Sequence, residues 1–239
     1  MLSVKTFSYP GIWLPVIQSH FPDGTLRLEP PELSNTFASA IRWDYENDAE
    51  LFSLICLKNH YCNDNISLYM PYCPHARMDR VKSSNDVFTL KSFAGIINSL
   101  NFSKVVVYDA HSNVSLALID RVENRDNTPF VERAINKIND PDLVMYYPDE
   151  GAMKRYSEQF NRPYSFGMKK RDWATGNIKG IDIINKEAKN IYLFITHCET
   201  TIMEGELIKS GLIEHIFTTN SLASNFPTNL ITVDPIILS

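Results

Sequence analysis

The chain has 239 residues, a formal net charge of -5, and 44% hydrophobic against 21% charged residues. This composition fits one large globular domain or two smaller ones and argues against a disordered chain. The acidic balance argues against a general nucleic-acid binder, and no apolar stretch reaches the roughly 20 residues that span a bilayer. The first residues lack the features of a signal peptide, so we expect a cytoplasmic protein that binds neither nucleic acid nor membrane.

The four cysteines (Cys56, Cys62, Cys73 and Cys198) show no Cys-x-x-Cys pair. Cys56 and Cys62 fall in one predicted helix, six residues apart and therefore on different faces. The pattern supports neither a zinc site nor a disulfide framework, and we expect reduced thiols.

The first half of the chain alternates helical and β-rich stretches. Residues 48–61 have apolar positions at helical spacing and lead into an apolar strand at Ile66–Met70. The stretch 84–100 predicts a second helix, with Ser84, Asn85 and Asp86 as cap candidates. The β-branched run Lys104–Ala110 predicts a strand that is buried on both faces.

The second half repeats this rhythm. Helices are predicted at 130–138, 151–160 and 204–211, and strands at 142–148, 164–168, 190–197 and 215–220. Strand, helix and strand in succession build parallel sheets. The sequence therefore predicts an α/β fold of two lobes, residues 1–127 and 128–239, each a mainly parallel sheet flanked by helices and joined near Arg125–Pro129.

Polar side chains follow four predicted strands, at the edge where such sheets bind ligands. Each motif taken alone has an ordinary structural explanation. These explanations are a solvated loop, a hydrogen-bonded histidine, helix-capping carboxylates and a basic turn. Together they suit a polyphosphate bound with Mg²⁺, because Arg and Lys bind phosphate oxygens and Mg²⁺ needs only one or two protein ligands. The residues are Arg77, Asp79 and Arg80; Asp109 and His111; Asp149 and Glu150; and Lys169, Lys170 and Arg171.

These motifs, in this order, resemble those of the ribose-phosphate diphosphokinases, or phosphoribosyl pyrophosphate synthetases. MPYCPHARMDR resembles their PYF-x-YARQDR element, VVVYDAHS their V-x-x-DLHS, and YYPDEGAMKR their V-x-PD-x-G-x-x-x-R. KKR resembles the catalytic Lys-x-Arg, ITH the later ATH, and HFPDGTLRLE the early F-x-DGE loop. The likeness runs through nearly the whole chain.

The resemblance implies two phosphoribosyltransferase-like lobes and a transferase that moves the β,γ-diphosphate of Mg·ATP to the anomeric hydroxyl of a ribose phosphate. It implies a homo-oligomer with active sites near subunit interfaces, because in the family the loop matching Phe21 and Asp23 reaches a neighbour's adenine. The implied residues are Phe21, Asp23, Arg77, Asp79, Arg80 and His111 for ATP; Lys169, Arg171 and His111 for catalysis; His111 and Asp149 for Mg²⁺; and Asp149 for the acceptor ribose.

Three departures from the family pattern bear on substrate binding. Thr25 stands where the family has Glu in F-x-DGE, and Met78 where it has Gln in ARQD. A strand–loop–helix unit that cradles the 5-phosphate of ribose is missing between Asn185 and Lys186. Either the protein lacks this unit and its usual acceptor site, or the chain as read omits it; we favour the second because loss of a central strand would leave the second lobe's core open.

Several functions stay open on this basis. The acceptor is ribose 5-phosphate or, as in a phage-encoded branch of relatives that rebuilds NAD⁺, ADP-ribose. A non-catalytic regulatory member that binds nucleotide or an active paralogue is the alternative, although retention of His111, Asp149, Lys169 and Arg171 speaks against it. A phosphoribosyltransferase would need the missing loop and comes last.

Overall fold

The computed structural model describes residues 1–6, 12–32, 38–61, 64–171, 178–182, 189–223 and 225–237, without the side chains of 168–171, 178–182 and Leu207. The helices are α1 (Glu50–Tyr61), α2 (Thr89–Ser99), α3 (Asn113–Leu118), α4 (Thr128–Ile138), α5 (Glu150–Tyr156) and α6 (Glu206–Lys209). The strands are β1 (Leu2–Thr6), β2 (Leu14–Pro15), β3 (Ile17–His20), β4 (Leu26–Glu29), β5 (Ala38–Trp43), β6 (Ser67–Tyr69), β7 (Lys104–Tyr108), β8 (Val122–Arg125), β9 (Met145–Tyr147), β10 (Tyr164–Phe166), β11 (Met168–Arg171), β12 (Ile178–Asp182), β13 (Tyr192–Ile195), β14 (His215–Thr219) and β15 (Ile231–Asp234).

A six-stranded sheet with the order β2-β1-β5-β6-β7-β8 forms the centre of the molecule. Strands β5 to β8 run parallel, and β1 is antiparallel to both of its neighbours. Their connections contain helices, as parallel neighbours require. The prediction of an α/β fold with a mainly parallel sheet flanked by helices is confirmed.

Both faces of this sheet are covered, because alternate residues of its strands point to opposite sides. On one side Leu68 and Val105 pack with apolar residues of α1 and α2, and Leu68 is fully buried. Burial of a side chain of this size stabilises the fold by about 1.5–3 kcal/mol. The strand predicted at Lys104–Ala110 is therefore buried on both faces, as expected.

The opposite face of the sheet is covered by residues from later in the chain. Tyr69, Val106 and Tyr108 pack there with Phe130 of α4 and with Ile236. The second half of the chain thus lies directly against the central sheet. This contact brings its loops to the carboxyl ends of β6 and β7.

The second half itself is built from small sheets. Strands β9 and β10 form a parallel pair, β11 and β12 an antiparallel pair, and β13, β14 and β15 a parallel sheet. Within the described ranges no strand joins β9 to β13, and Asn185 and Lys186, where the family unit is missing, lie outside those ranges. The boundary between residues 127 and 128 stays a prediction; it falls in the connection between β8 and α4.

The cap prediction for the second helix was wrong. α2 begins at Thr89, and its N-cap residue Phe88 forms no side-chain cap. The carboxylate of Asp86 instead accepts hydrogen bonds from the backbone N–H groups of Lys82 and Ser83, at 2.8 and 3.0 Å. Three polar residues in a row could cap a helix at more than one position. Here Asp86 instead stabilises the turn that precedes the helix.

The sequence predicted neither disulfide bonds nor a membrane-spanning segment, and the structure bears on both only through the described residues. Cys56, Cys73 and Cys198 are free thiols there, while Cys62 lies outside the described residues. Burial raises the pKa of Cys73 to about 12, so this thiol is not a reactive group. None of the helices in the described part of the chain is long and apolar enough to cross a membrane.

Candidate active site

The carboxylate of Asp109, directly after β7, is surrounded by hydrogen-bond donors. It accepts from Asn127 at 3.0 Å, from the hydroxyl of Thr196 at 2.5 Å and from the phenol of Tyr156. Asp109 has a positive φ of 43°, which is uncommon outside glycine, and these bonds hold it there. The sequence offered Asp109 as a chemistry-capable group; its described contacts give it a structural role that ties three segments together.

His197, two residues after β13, binds the same strand end through its ring. Its Nε2 lies 3.1 Å from the carbonyl oxygen of Tyr108 and 3.3 Å from that of Asp109. Its Nδ1 lies 2.7 Å from the hydroxyl of Ser221. Burial lowers the pKa of His197, although the charge of Asp109 and the two carbonyls act against this, so the neutral imidazole is favoured at neutral pH.

The loop after β6 meets the loop after β13 and the loop after β7. The guanidinium of Arg77 forms an ion pair with Glu199. Asp79 is buried and accepts from Nε of the exposed Arg80 at 3.0 Å. The exposed His111 lies close enough to Asp79 to influence its ionisation. The structure thus brings Arg77, Asp79, Arg80 and His111 to one edge of the sheet, as the sequence predicted.

The pKa of Asp79 depends on the charged groups that surround it. Its burial opposes the charged form, but the Arg80 hydrogen bond, the Ser112 hydroxyl and the charges of Arg80 and His111 outweigh it. The pKa of Asp79 is therefore lowered below its ordinary value of 3.8. A carboxylate held charged in this way compensates the cations beside it.

Asp149 is the N-cap of α5. Its carboxylate accepts from the backbone N–H of Ala152 at 2.8 Å, and a side chain at Gly151 would approach that oxygen to 3.2 Å. The same helix reaches the end of β7, because Arg155 donates to the carbonyl of Ala110 at 3.2 Å. Asp149 thus has the ordinary capping role that the sequence allowed, on a helix fastened to the His111 loop.

Phe21 and Asp23 lie at the tip of the β3–β4 hairpin. Asp23 accepts from the N–H and the hydroxyl of Thr25 at 3.0 and 2.7 Å, and these bonds lower its pKa. Phe21 is 50% exposed. Among the described residues, no hydrogen bond, ion pair or ring contact joins Phe21 or Asp23 to the strand ends, so their role in nucleotide binding stays a prediction.

Lys169 and Arg171 have side chains outside the described residues, so the structure does not place them in the site. Their backbone belongs to β11, which pairs with β12 over its whole length. The sequence predicted these residues at the end of a strand over 164–168; in the structure β10 ends at Phe166, and MKKR forms β11, a separate strand that ends at Arg171. In the part of the chain that the structure describes, no group of three His, Cys, Asp or Glu side chains could hold a metal ion.

Sequence reasoning missed the residues that join these loops. Asn127, Tyr156, Thr196 and His197 all reach the end of β7, yet each looks ordinary in its own segment. The ITH motif pointed to Thr196 and His197, but it did not indicate which residues they would bond. Long-range hydrogen bonds of this kind follow from the packing of distant segments.

Comparison with known proteins identifies the relatives of this chain. No family model matches it. The ribose-phosphate pyrophosphokinase of Sulfolobus acidocaldarius is 27% identical over 169 residues, which are 66% of this chain and 57% of that protein. The ribose-phosphate pyrophosphokinase of Bacillus subtilis is 22% identical over 209 residues, 74% of this chain and 66% of that protein. The chain thus matches little more than half the length of its first curated relatives.

A solved structure shows the same fold. The phosphoribosylpyrophosphate synthetase of Mycobacterium smegmatis superposes with a TM-score of 0.74 and 14% identity, over 93% of this chain and 86% of that one. The chain therefore has the fold of this synthetase, and its curated relatives are named ribose-phosphate pyrophosphokinase. The loop after β6 and the loop after β7 carry two of the motifs on which the resemblance in sequence rests.

We expect Asp79 to stabilise this protein in a pH-dependent way. Because its folded pKa lies below 3.8, its contribution is present in full above that value and is lost as the pH falls through the folded pKa. Wild type should therefore be more stable than Asp79→Asn at about pH 7, and urea unfolding should show the two converging below about pH 4. Arg80→Gln should shrink the difference; a gap that stays constant with pH would contradict the assignment.

Proposed function

We propose that this protein is an ATP-dependent diphosphotransferase. It would move the β,γ-diphosphate of Mg·ATP to the anomeric hydroxyl of a ribose phosphate and release AMP. The observation that carries the proposal is the meeting of the Arg77–Arg80 loop with His111 at the carboxyl edge of a parallel sheet. Relatives named ribose-phosphate pyrophosphokinase support it.

The chemistry asks mainly for positioning and charge neutralisation. The anomeric oxygen forms a bond to the β-phosphorus while the bond from that phosphorus to the AMP oxygen breaks, and the hydroxyl proton passes to solvent. Arg77 and Arg80 would bind phosphate oxygens, with Arg offering two parallel hydrogen bonds. Lys169, Arg171 and His111 would stabilise the charge on the transferring diphosphate.

Mg²⁺ would enter with the nucleotide. This ion prefers oxygen ligands and usually takes one or two from protein, with water and phosphates completing its shell. The described residues lack a three-ligand cluster but include the carboxylate of Asp149, the N-cap of the helix whose Arg155 contacts Ala110. Such a small set of protein ligands fits an ion that is shared with a polyphosphate. The ion would neutralise part of the phosphate charge, and Asp149 and His111 would hold the ion.

The acceptor is either ribose 5-phosphate or ADP-ribose. Asp149 would face the acceptor ribose in both cases. We also propose a homo-oligomer, because the loop matching Phe21 reaches a neighbour's adenine in the family that the chain resembles, and Phe21 is half-exposed at the hairpin tip.

A non-catalytic regulatory member is the second candidate. The ion pair between Arg77 and Glu199 favours it, because a carboxylate already occupies a guanidinium that nucleotide phosphates would need. Thr25, in place of the family's Glu, also favours altered nucleotide binding. Exposed ion pairs are worth only about 0–1 kcal/mol, however, so phosphate can displace Glu199 readily.

Release of AMP distinguishes these functions. The purified protein is incubated with Mg·ATP and, separately, with ribose 5-phosphate or ADP-ribose, and AMP is measured by chromatography. We expect acceptor-dependent AMP with one of the two, which identifies the acceptor. No AMP with either would contradict the enzymatic proposal, and ATP binding without turnover would then favour the regulatory member.

Loss of the site cations should abolish most of the turnover. We expect His111→Ala and Lys169→Ala each to lower the rate of AMP release by at least about 100-fold, the effect of losing one preorganised charge contact. His60→Ala and Lys91→Ala change the same residue types at exposed helix positions and should leave the rate unchanged. A near-normal rate in either site variant would remove that residue from the catalytic set.

A further inference from the structure

The segment Thr196–Glu199 contacts the first half of the chain at two loops. Thr196 donates to the carboxylate of Asp109, and Glu199 pairs with Arg77. Between them His197 contacts the carbonyls at the end of β7, while its ring packs edge-on against Tyr72 with 5.3 Å between ring centres. The proposed function gives this histidine no role.

The partners of His197 assign its hydrogens. Carbonyl oxygens only accept, so Nε2 must carry a hydrogen. Ser221 has one hydroxyl hydrogen and two nearby acceptors, Nδ1 at 2.7 Å and the Thr196 carbonyl at 2.9 Å. The neutral ring has no hydrogen on Nδ1, so this nitrogen can only accept and Ser221 donates to it, while Thr219 donates to the Thr196 carbonyl at 2.7 Å. His197 is therefore held as the neutral Nε2–H tautomer, with both ring nitrogens bonded.

This arrangement fixes the backbone that presents His111. The two carbonyls belong to Tyr108 and Asp109, and His111 follows two residues after the second. Asp109 adopts the left-handed backbone conformation, which is unfavourable for a residue other than glycine. The direction of the chain after β7 therefore depends on the hydrogen bonds that hold Asp109 in this conformation. His197 acts on its backbone, and Thr196, the preceding residue, acts on its side chain.

We infer that His197 is a positioning residue, whose Nε2–H holds the end of β7 so that His111 faces the Arg77–Arg80 loop. The effect on turnover rests on the proposed function, whereas the effect on the backbone does not. His197 reaches these loops only through protein carbonyls, so it is not a catalytic residue. Small losses of alignment lower rates strongly, by about 100-fold for a displacement of 1 Å.

Three variants separate positioning from stability. His197→Leu removes the donor and keeps an apolar side chain, whereas His197→Gln keeps an N–H donor on a side chain of similar reach. Asn98→Ala is the matched control, because Asn98 also holds two backbone groups, the Leu118 carbonyl and the Asp120 N–H, at 2.9 Å each. Asn98 lies near the end of α2, toward the amino ends of the strands.

Two measurements are made on each protein: kcat and KM for ATP from AMP release, and the backbone amide NMR shifts of Ala110 and His111. For His197→Leu we expect kcat at least about tenfold lower, KM changed by less than about threefold, and both amides shifted. His197→Gln should restore both quantities. Asn98→Ala should lower the melting temperature without changing either.

The inference is overturned if His197→Leu leaves the two amides in place, or if Asn98→Ala lowers kcat as much as His197→Leu does. If wild type makes no AMP, the proposed function fails, and the amide shifts alone decide whether His197 positions the His111 loop. If His197→Leu does not fold, Ser221→Ala replaces it, because it removes the hydrogen bond that orients the ring; unshifted amides in that variant would equally contradict the inference.

Discussion

The site depends on the end of β7 being held by groups from elsewhere in the chain. The carboxylate of Asp109 accepts hydrogen bonds from Asn127, Tyr156 and Thr196, which come from three different segments. A partly buried carboxylate is unfavourable in free energy unless its oxygens accept hydrogen bonds. Moving any of these segments away would remove a donor from Asp109, which disfavours their separation. Everything proposed for the loops nearby, including the placement of His111, follows from this constraint.

The sequence predicted the parts of the site that lie on short stretches of chain. The apolar runs around Leu68 and Val106 mark buried parallel strands, and ligands bind at the carboxyl ends of such strands. The polar residues directly after them, Arg77 to Arg80 and His111, therefore meet at one edge, as expected. The family resemblance gave these residues their proposed roles, and the curated relatives are named ribose-phosphate pyrophosphokinase.

Other parts depend on packing between distant segments and left no local signal. The hydrogen bonds of His197 span 89 and 88 residues in sequence, so nothing near ITH could indicate them. The hairpin that carries Phe21 and the strand that contains Lys169 were predicted only as loop and strand end. Asp149 could be a cap or a ligand, and its hydrogen bond to Ala152 shows the cap without testing the second role.

Paramagnetic broadening by a bound metal–nucleotide complex tests the central claim most directly. A non-hydrolysable ATP analogue is added with Mn²⁺ in place of Mg²⁺, and the backbone amide NMR signals are followed. We predict that the signals of residues 77–80 and 110–112 broaden together and before those of α1, because one nucleotide lies between the two loops. Broadening of one loop without the other, or of neither, would contradict a shared nucleotide site at these strand ends.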